Sequence, residues 1–249
     1  MPRLSAVIIT KNEAANIAAC LDSVAFADEL IVVDSGSADD TVAIAKSKGA
    51  RVEFYEFKGF GRQMNYALSL ATGDWIFSID ADERVSSALA AELQQAMKKG
   101  DADIYEMPRL STFCGRVMRH SGWYPDYVKR LWRRGRARWR EDLVHALLIC
   151  DGTVARLTHP LNHDAIERIE QSLRRMDQYS TLGAEMLVAR GQRVWFFSGV
   201  THGIWTFLRS YILRAGFLDG HEGFLLAVLS AEGSYYKYMK AWLMGRRRG

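Results

Sequence analysis

The chain opens with short, nearly unbroken apolar runs, separated by stretches in which apolar residues return every third or fourth position. Residues 4–10, 30–34, 51–55 and 74–79 are apolar or β-branched almost throughout, as strands covered on both faces of a sheet must be. Between them, Ile17, Cys20, Leu21 and Val24 recur at helical spacing, Ser37 followed by Asp40 reads as a capping-box start for a second helix, and 62–71 predicts a third. Strand and helix alternating in this way predict βαβ units and a parallel sheet. After about residue 155 the pattern predicts helices alone, charged over 165–187 and aromatic-rich from Val194 to Leu243. The expected organisation is therefore an α/β domain over 1–155 and a helical region over 156–249.

The segment 194–213 has the length of a membrane span but carries His202 and Arg209, and a central Arg costs roughly 2.5–3.5 kcal/mol on insertion. A helix lying at a membrane surface is expected instead. Of the 28 aromatic residues, 12 fall between Trp195 and Trp242, interleaved with Arg209, Arg214, Lys237 and Lys240 and followed by Arg246, Arg247 and Arg248. Rings and cations together suit the headgroup layer.

Composition adds two constraints. The 249 residues include only four Pro and three widely spaced Cys, which argues against a disulfide framework and for a reducing compartment. The polar Thr10-Lys11-Asn12-Glu13 interrupts the N-terminal apolar stretch, so no secretory signal is expected and the protein should stay in the cytoplasm. Net charge is only +4, yet ten Lys or Arg lie between Arg109 and Arg140 against one acid, Asp126. Such a stretch suits a phosphate-rich partner.

In open sheets, ligands bind beyond the carboxyl ends of the strands. The first strand ends without GxGxxG, and neither a P-loop, GxSxG nor HExxH occurs, which removes dinucleotide-dehydrogenase, P-loop, hydrolase and zincin readings. What remains is acidic. Asp34, followed by Ser35-Gly36-Ser37, is placed either to meet a ribose or base or to form a turn. Asp80-Ala81-Asp82-Glu83 follows the fourth apolar run. On an extended chain Asp80 and Asp82 would point the same way while Ala81 turns aside, offering two hard oxygen ligands to Mg²⁺ or Mn²⁺ on a diphosphate. Lys58 to Asn65 forms a basic, glycine-flanked loop that would let backbone approach a phosphate. Glu141 and Asp142 could deprotonate an acceptor hydroxyl, and His145 could be a further metal ligand. Trp123, Tyr124 and Asp126 could form a sugar-stacking wall with a polar contact.

Taken together, residues 6–13 (AVIITKNE), 31–41 (IVVDSGSADDT), 61–65 (GRQMN) and 80–83 (DADE) resemble the family-two inverting glycosyltransferases of the GT-A fold. The resemblance implies a Rossmann-like, mixed but mainly parallel sheet flanked by helices. It also implies a nucleotide-sugar donor site at Thr10, Glu13, Asp34 and Arg62, and a metal–diphosphate site at Asp80 and Asp82. Further stretches, 122–126 (GWYPD), 129–132 (KRLW), Val144-His145 and 214–220 (RAGFLDG), look like the subgroup that builds the inner core of lipopolysaccharide. Members of that subgroup commonly place an acid after the Val-His pair, where Ala146 stands here, so the base is Glu141 or Asp142. The implied reaction is inverting transfer of a hexose, from a donor such as UDP-glucose, to a phosphorylated heptose-containing glycolipid at the cytoplasmic face of the inner membrane. The enzyme would be peripheral, with no nucleic acid as partner. The nearest alternative is a polyprenyl-phosphate sugar transferase, whose phosphate acceptor needs no base. A binding module in which the DxD merely caps a helix is the alternative from another class.

Overall fold

The computed structural model describes residues 2–141 and 147–246. Among these, the strands are β1 (Leu4–Thr10), β2 (Glu29–Asp34), β3 (Arg51–Phe54), β4 (Trp75–Ser78), β5 (Glu83–Arg84), β6 (Ile104–Phe113), β7 (Arg116–Val117), β8 (Asp126–Arg133), β9 (Ala137–Trp139), β10 (Leu148–Cys150), β11 (Val154–Arg156) and β12 (Leu161–Ile166). The helices are α1 (Ile17–Ser23), α2 (Thr41–Ser47), α3 (Phe60–Leu70), α4 (Ser87–Lys99), α5 (Ile169–Ala189), α6 (Ser198–Phe207) and α7 (Gly220–Arg246). A π-helical turn, Leu208–Leu213, continues α6, and a 3₁₀ turn, Gly216–Asp219, precedes α7.

The four apolar runs become the parallel strands β3-β2-β1-β4 at one side of a mixed sheet, which continues through β8, β6, β12 and β5. Val7, Ile8, Ile31, Val32 and Phe77 are all fully buried, which is why these runs lack polar alternation. Helix α4 starts where Ser86 accepts a hydrogen bond from the Leu89 amide (3.2 Å) and stops at Gly100 in the left-handed region (φ 60°). The capping box read into Ser37 and Asp40 does not form. Asp40 stands at the N-cap of α2 without a side-chain bond, because Ser37 is taken by Asp34 and the cap-like contact comes from Asp39 to Thr41.

The chain divides into two compact units, Met1–Arg109 with Asp126–His163, and Leu110–Pro125 with Asp164–Gly249. The expectation of helices alone after residue 155 is corrected by β12, whose His163 pairs in register with Glu83 of β5. Its Leu161, His163 and Ala165 alternate as a strand, but so short a run beside a long helical segment does not stand out in periodicity. In the second unit, Lys240 reaches from α7 to the Asp177 carboxylate (2.7 Å) and the Ser180 hydroxyl (2.9 Å) of α5. Among the described residues, no helix is long and apolar enough to cross a membrane.

Candidate active site

The ends of β1 and β2 lie side by side, with Thr10 opposite Asp34 in the parallel register. Asp34 is buried and turns back on its own loop, accepting from the Gly36 amide (2.8 Å), the Ser37 amide (2.9 Å) and the Ser37 hydroxyl. Both roles foreseen for it thus remain chemically open, since each carboxylate oxygen has lone pairs beyond these bonds. The loops after β1 and β2 are stitched together: Ser37 accepts from the Asn12 amide (2.8 Å), the Asn12 side chain accepts from the Ala38 amide (2.8 Å), and Thr41 accepts from the Glu13 amide (2.8 Å). Asn12 adopts a left-handed conformation (φ 57°) to allow this. The Thr10 hydroxyl is buried with no partner among the described residues, a donor and acceptor left for something else to satisfy.

The acidic tetrapeptide beyond β4 is a turn, closed by the Glu83 amide on the Asp80 carbonyl (2.9 Å) and by Arg84, which donates to the carbonyls of Ala81 (2.7 Å) and Glu83 (2.8 Å). The strand-like alternation expected for Asp80 and Asp82 is therefore replaced by turn geometry, although Ala81 does face inward, 5% exposed. The two aspartates acquire different neighbours. Asp80 pairs with the buried Arg130, which also holds the wholly buried Glu83 at 2.6 Å. Glu83 in turn accepts from the Asp80 amide (3.0 Å) and stands 3.7 Å from Arg109. Burial pushes the Glu83 carboxyl upward and Asp80 adds to this, with Arg130 opposing both. Asp82 lies 3.5 Å from His163 Nε2. Burial alone would raise the Asp82 carboxyl, but the hydrogen bond and charge of His163 outweigh it and hold Asp82 below the usual carboxylate range. Glu13 is close enough to Asp82 to feel it: burial, then Asp82 and Asp39, raise its carboxyl against a hydrogen bond from Asn16.

Arg130 and His163 are the site residues that sequence reasoning missed. Arg130 stands in the Lys129-Arg-Leu-Trp stretch among ten cations that sequence does not tell apart, and His163 lies in a segment whose pattern predicts helix. Register explains both: β8 runs antiparallel to β4, with Leu131 opposite Phe77, and His163 faces Glu83. The basic stretch is accordingly less free than its sequence suggests. Arg109 binds Asp126 (2.7 Å), while Arg133 and Arg136 both approach Asp103 (3.6 Å). Two of the residues read as a sugar-stacking wall have protein contacts of their own. Trp123 packs edge-on against Phe113 (5.9 Å between ring centroids), and Asp126 is occupied by Arg109.

The glycine-flanked loop at α3 has a use other than phosphate approach. A Cβ at Gly61 would stand 2.0 Å from the Arg140 carbonyl oxygen, so Gly61 admits another stretch of backbone. Asn65 completes that docking, accepting from the Trp139 amide (2.8 Å) and donating to its carbonyl (2.8 Å). Glu141 is thereby held beside α3, 3.3 Å from Asn65 Nδ2 and 3.4 Å from Arg62 Nε. Gln63 anchors α3 over the sheet by donating to the Val33 carbonyl (3.1 Å). Asp142 and His145 lie outside the described residues.

Among the described residues no three His, Cys, Asp or Glu form a ready cation cage. Asp82 and His163 place a carboxylate oxygen and an imidazole nitrogen 3.5 Å apart, while Asp80 in the same turn is engaged by Arg130.

The parallel β3-β2-β1-β4 edge, with stitched loops and an acidic turn at its carboxyl ends, is the arrangement of the GT-A fold. A crystal structure of Mycobacterium tuberculosis glucosyl-3-phosphoglycerate synthase in complex with Mn²⁺, uridine diphosphate and glucosyl-3-phosphoglycerate shares the fold, with TM-score 0.50, 20% identity, and coverage of 77% of this chain and 81% of that one. The family profile "Glycosyl transferase family 2" matches residues 5–155, and the chain belongs to that family. Among its relatives, an "Uncharacterized glycosyltransferase" of Rickettsia felis is 32% identical, covering 96% of this chain and 89% of its own. The "Lipopolysaccharide core biosynthesis glycosyltransferase LpsC" of Rhizobium meliloti is 31% identical, covering 94% of this chain and 93% of its own.

Proposed function

We propose that the protein transfers a hexose with inversion, from a nucleotide-sugar donor such as UDP-glucose to a heptose-bearing, phosphorylated lipopolysaccharide-core acceptor at the cytoplasmic face of the inner membrane. The observation that carries this reading is the acidic turn after β4. There Asp82 is held ionised beside His163, while Asp80 is matched to a buried cation. Thr10, Glu13, Asp34 and Arg62 receive the nucleoside part of the donor, and the unpartnered Thr10 hydroxyl supports this. Asp80 and Asp82, with His163, hold a Mg²⁺ or Mn²⁺ ion at the diphosphate; His145 is the ligand read from sequence. Such an ion, when bound, offsets the charge of a departing nucleoside diphosphate. Glu141 or Asp142 takes the proton of the acceptor hydroxyl; Glu141 is held for this by Asn65 and Arg62. Residues 1–155, joined by His163, carry donor chemistry and the remainder of 156–249 the lipid-facing function, to which the exposed Trp195, Phe197 and Trp205 lend support. The similarity to LpsC over nearly the whole chain supports the acceptor class.

Isothermal titration tests this. UDP should bind the wild-type protein only with Mn²⁺ present, and Asp82→Asn should weaken that binding at least tenfold while the variant still melts cooperatively as a folded protein. Equal UDP affinity in EDTA, or donor hydrolysis that persists there, would remove the cation from the reading. Thermal-shift measurements with UDP-, GDP- and ADP-sugars then identify the donor.

A further inference from the structure

Helix α6 is packed inside out. Its small residues face α7: a Cβ on Gly199 would stand 2.9 Å from Met239 Sδ and 3.0 Å from the Tyr235 carbonyl oxygen, and one on Gly203 would stand 3.3 Å from the Ala231 carbonyl oxygen. Gly199, Gly203 and Ser210 of the π-helical turn are buried, whereas Val200, Ile204, Trp205, Leu208 and Ile212 are exposed. Folding in water turns large apolar side chains inward, because removing them from water is what stabilises a core. Helices bathed in hydrocarbon gain nothing from that and pair through small residues, which let their backbones approach closely.

The polar side chains of α6 are turned back on the helix itself. Thr201 donates to the Phe197 carbonyl (3.2 Å), His202 Nδ1 to the Ser198 carbonyl (2.8 Å) and Thr206 to the His202 carbonyl (2.7 Å), while Ser198 accepts from the Trp195 amide (3.1 Å). The His202 ring also stacks on Tyr238 of α7, 3.9 Å between centroids. Hydroxyls and an imidazole whose donors are spent within the helix cost less to take out of water. Charge is confined to the two ends of the segment. Arg193 precedes α6, whose neighbour Phe196 meets Trp242 near the end of α7, with Arg246 over that ring at 5.0 Å. Arg209 and Arg214 stand at the other end, and residues 190–218 contain no acid.

From this we infer that α6 and the π-helical turn are immersed in one leaflet of an anionic bilayer, their exposed face among the acyl chains and the arginines at either end among acidic headgroups. The ten residues of α6 and the six of the turn reach at most roughly 24 Å at 1.5 Å each, short of the roughly 30 Å hydrocarbon layer. Cations at both ends hold the axis along the membrane plane. The chain then turns back at Ala215, in the left-handed region (φ 52°), and returns as α7. A helix resting at headgroup level keeps a charged face toward water, and α6 carries no Lys, Arg, Asp or Glu. The inference deepens the membrane-surface reading above and rests on it for the bilayer, adding how deeply the protein enters.

The test uses the full chain and vesicles of phosphatidylglycerol mixed with phosphatidylcholine. Wild-type protein should sediment with them and stay bound when high salt or alkaline carbonate is added afterwards. Its tryptophan fluorescence should fall when the phosphatidylcholine is brominated halfway along its acyl chains, and Trp205→Phe should remove a large part of that quenching. Ile204→Glu with Leu208→Glu should weaken binding at least tenfold, with an unchanged circular dichroism spectrum because both side chains are exposed. Arg193→Gln with Arg209→Gln should weaken binding to the anionic vesicles about tenfold and leave the quenching of the bound fraction unaltered. Protein that sediments but is released by salt, with no quenching from the acyl chains, would overturn immersion and leave surface docking standing. Protein that does not sediment at all would overturn both. A dimer in sedimentation velocity that the Ile204→Glu, Leu208→Glu variant splits, without vesicle binding, would give this face to a second copy of the chain instead.

Discussion

At the scale of single residues, the site depends on how few charges serve several partners. Arg130 neutralises Asp80 and the wholly buried Glu83 together, so removing it strands a buried carboxylate. Arg130→Met should cost about 3–5 kcal/mol, the usual penalty for breaking a buried ion pair. Chemical denaturation would read this as a lower midpoint, and adding Glu83→Gln should recover a large part of the loss. If the single variant is as stable as wild type, Arg130 is not the counter-ion described here. Away from the site, Glu92 accepts from the amides of Thr158 and His159, both at 2.9 Å, and from the Thr158 hydroxyl. Burial would raise its carboxyl, but these donors outweigh burial and lower it. A carboxylate lowered by folding stabilises the protein fully above its unfolded value near 4.5, and that contribution is lost as pH falls through the lower folded value. The stability difference between wild type and Glu92→Gln, measured by thermal melts, should therefore be largest at neutral pH and shrink below about pH 4.5. A difference that stays constant to low pH would contradict it.

At the scale of elements, α3 and the stretch after β9 act as a pair. Gly61 leaves room for the Arg140 backbone, and Asn65 clasps both polar groups of Trp139. Glu141 follows at once, so its position is set by α3 and not by its own neighbours in sequence. Asn65→Ala should lower turnover at least tenfold and speed hydrogen exchange at the Trp139 amide, while UDP affinity stays near wild type. Unchanged exchange with unchanged turnover would show that α3 does not hold this segment. The motif resembling the lipopolysaccharide-core subgroup behaves similarly within the second unit. Asp219 is buried and accepts from the amides of Arg119 (3.1 Å) and His120 (2.9 Å), and the Ser121 amide donates to the Arg214 carbonyl (2.9 Å). These residues fasten two distant stretches of chain together.

At the scale of the molecule, charge and apolar exposure are distributed unevenly. Trp195 (76% exposed), Phe197 (69%) and Leu213 (66%) leave large apolar side chains in solvent, more than folding alone requires. Replacing Trp195 and Phe197 by Glu should abolish sedimentation with anionic vesicles, with little effect on melting temperature because both side chains are largely exposed. Sedimentation equal to wild type would argue that this face serves another purpose.

Much of the fold is legible in the sequence because its signals are local. Apolar runs bounded by polar residues specify β1, β2 and β4, and the stretches from which α1 and α3 form announce themselves by spacing. The acidic turn is legible too, since its position after a strand decides its exposure. What sequence cannot convey is which charge meets which. Arg130, 50 residues beyond Asp80, becomes its partner only because β8 pairs antiparallel with β4. His163 reaches Asp82 only because β12 pairs with β5. That Gly61 seats the distant Arg140 backbone is likewise invisible in its own neighbours. Periodicity is written into neighbouring residues, whereas electrostatic partnership depends on sheet order and register, which only the folded chain decides.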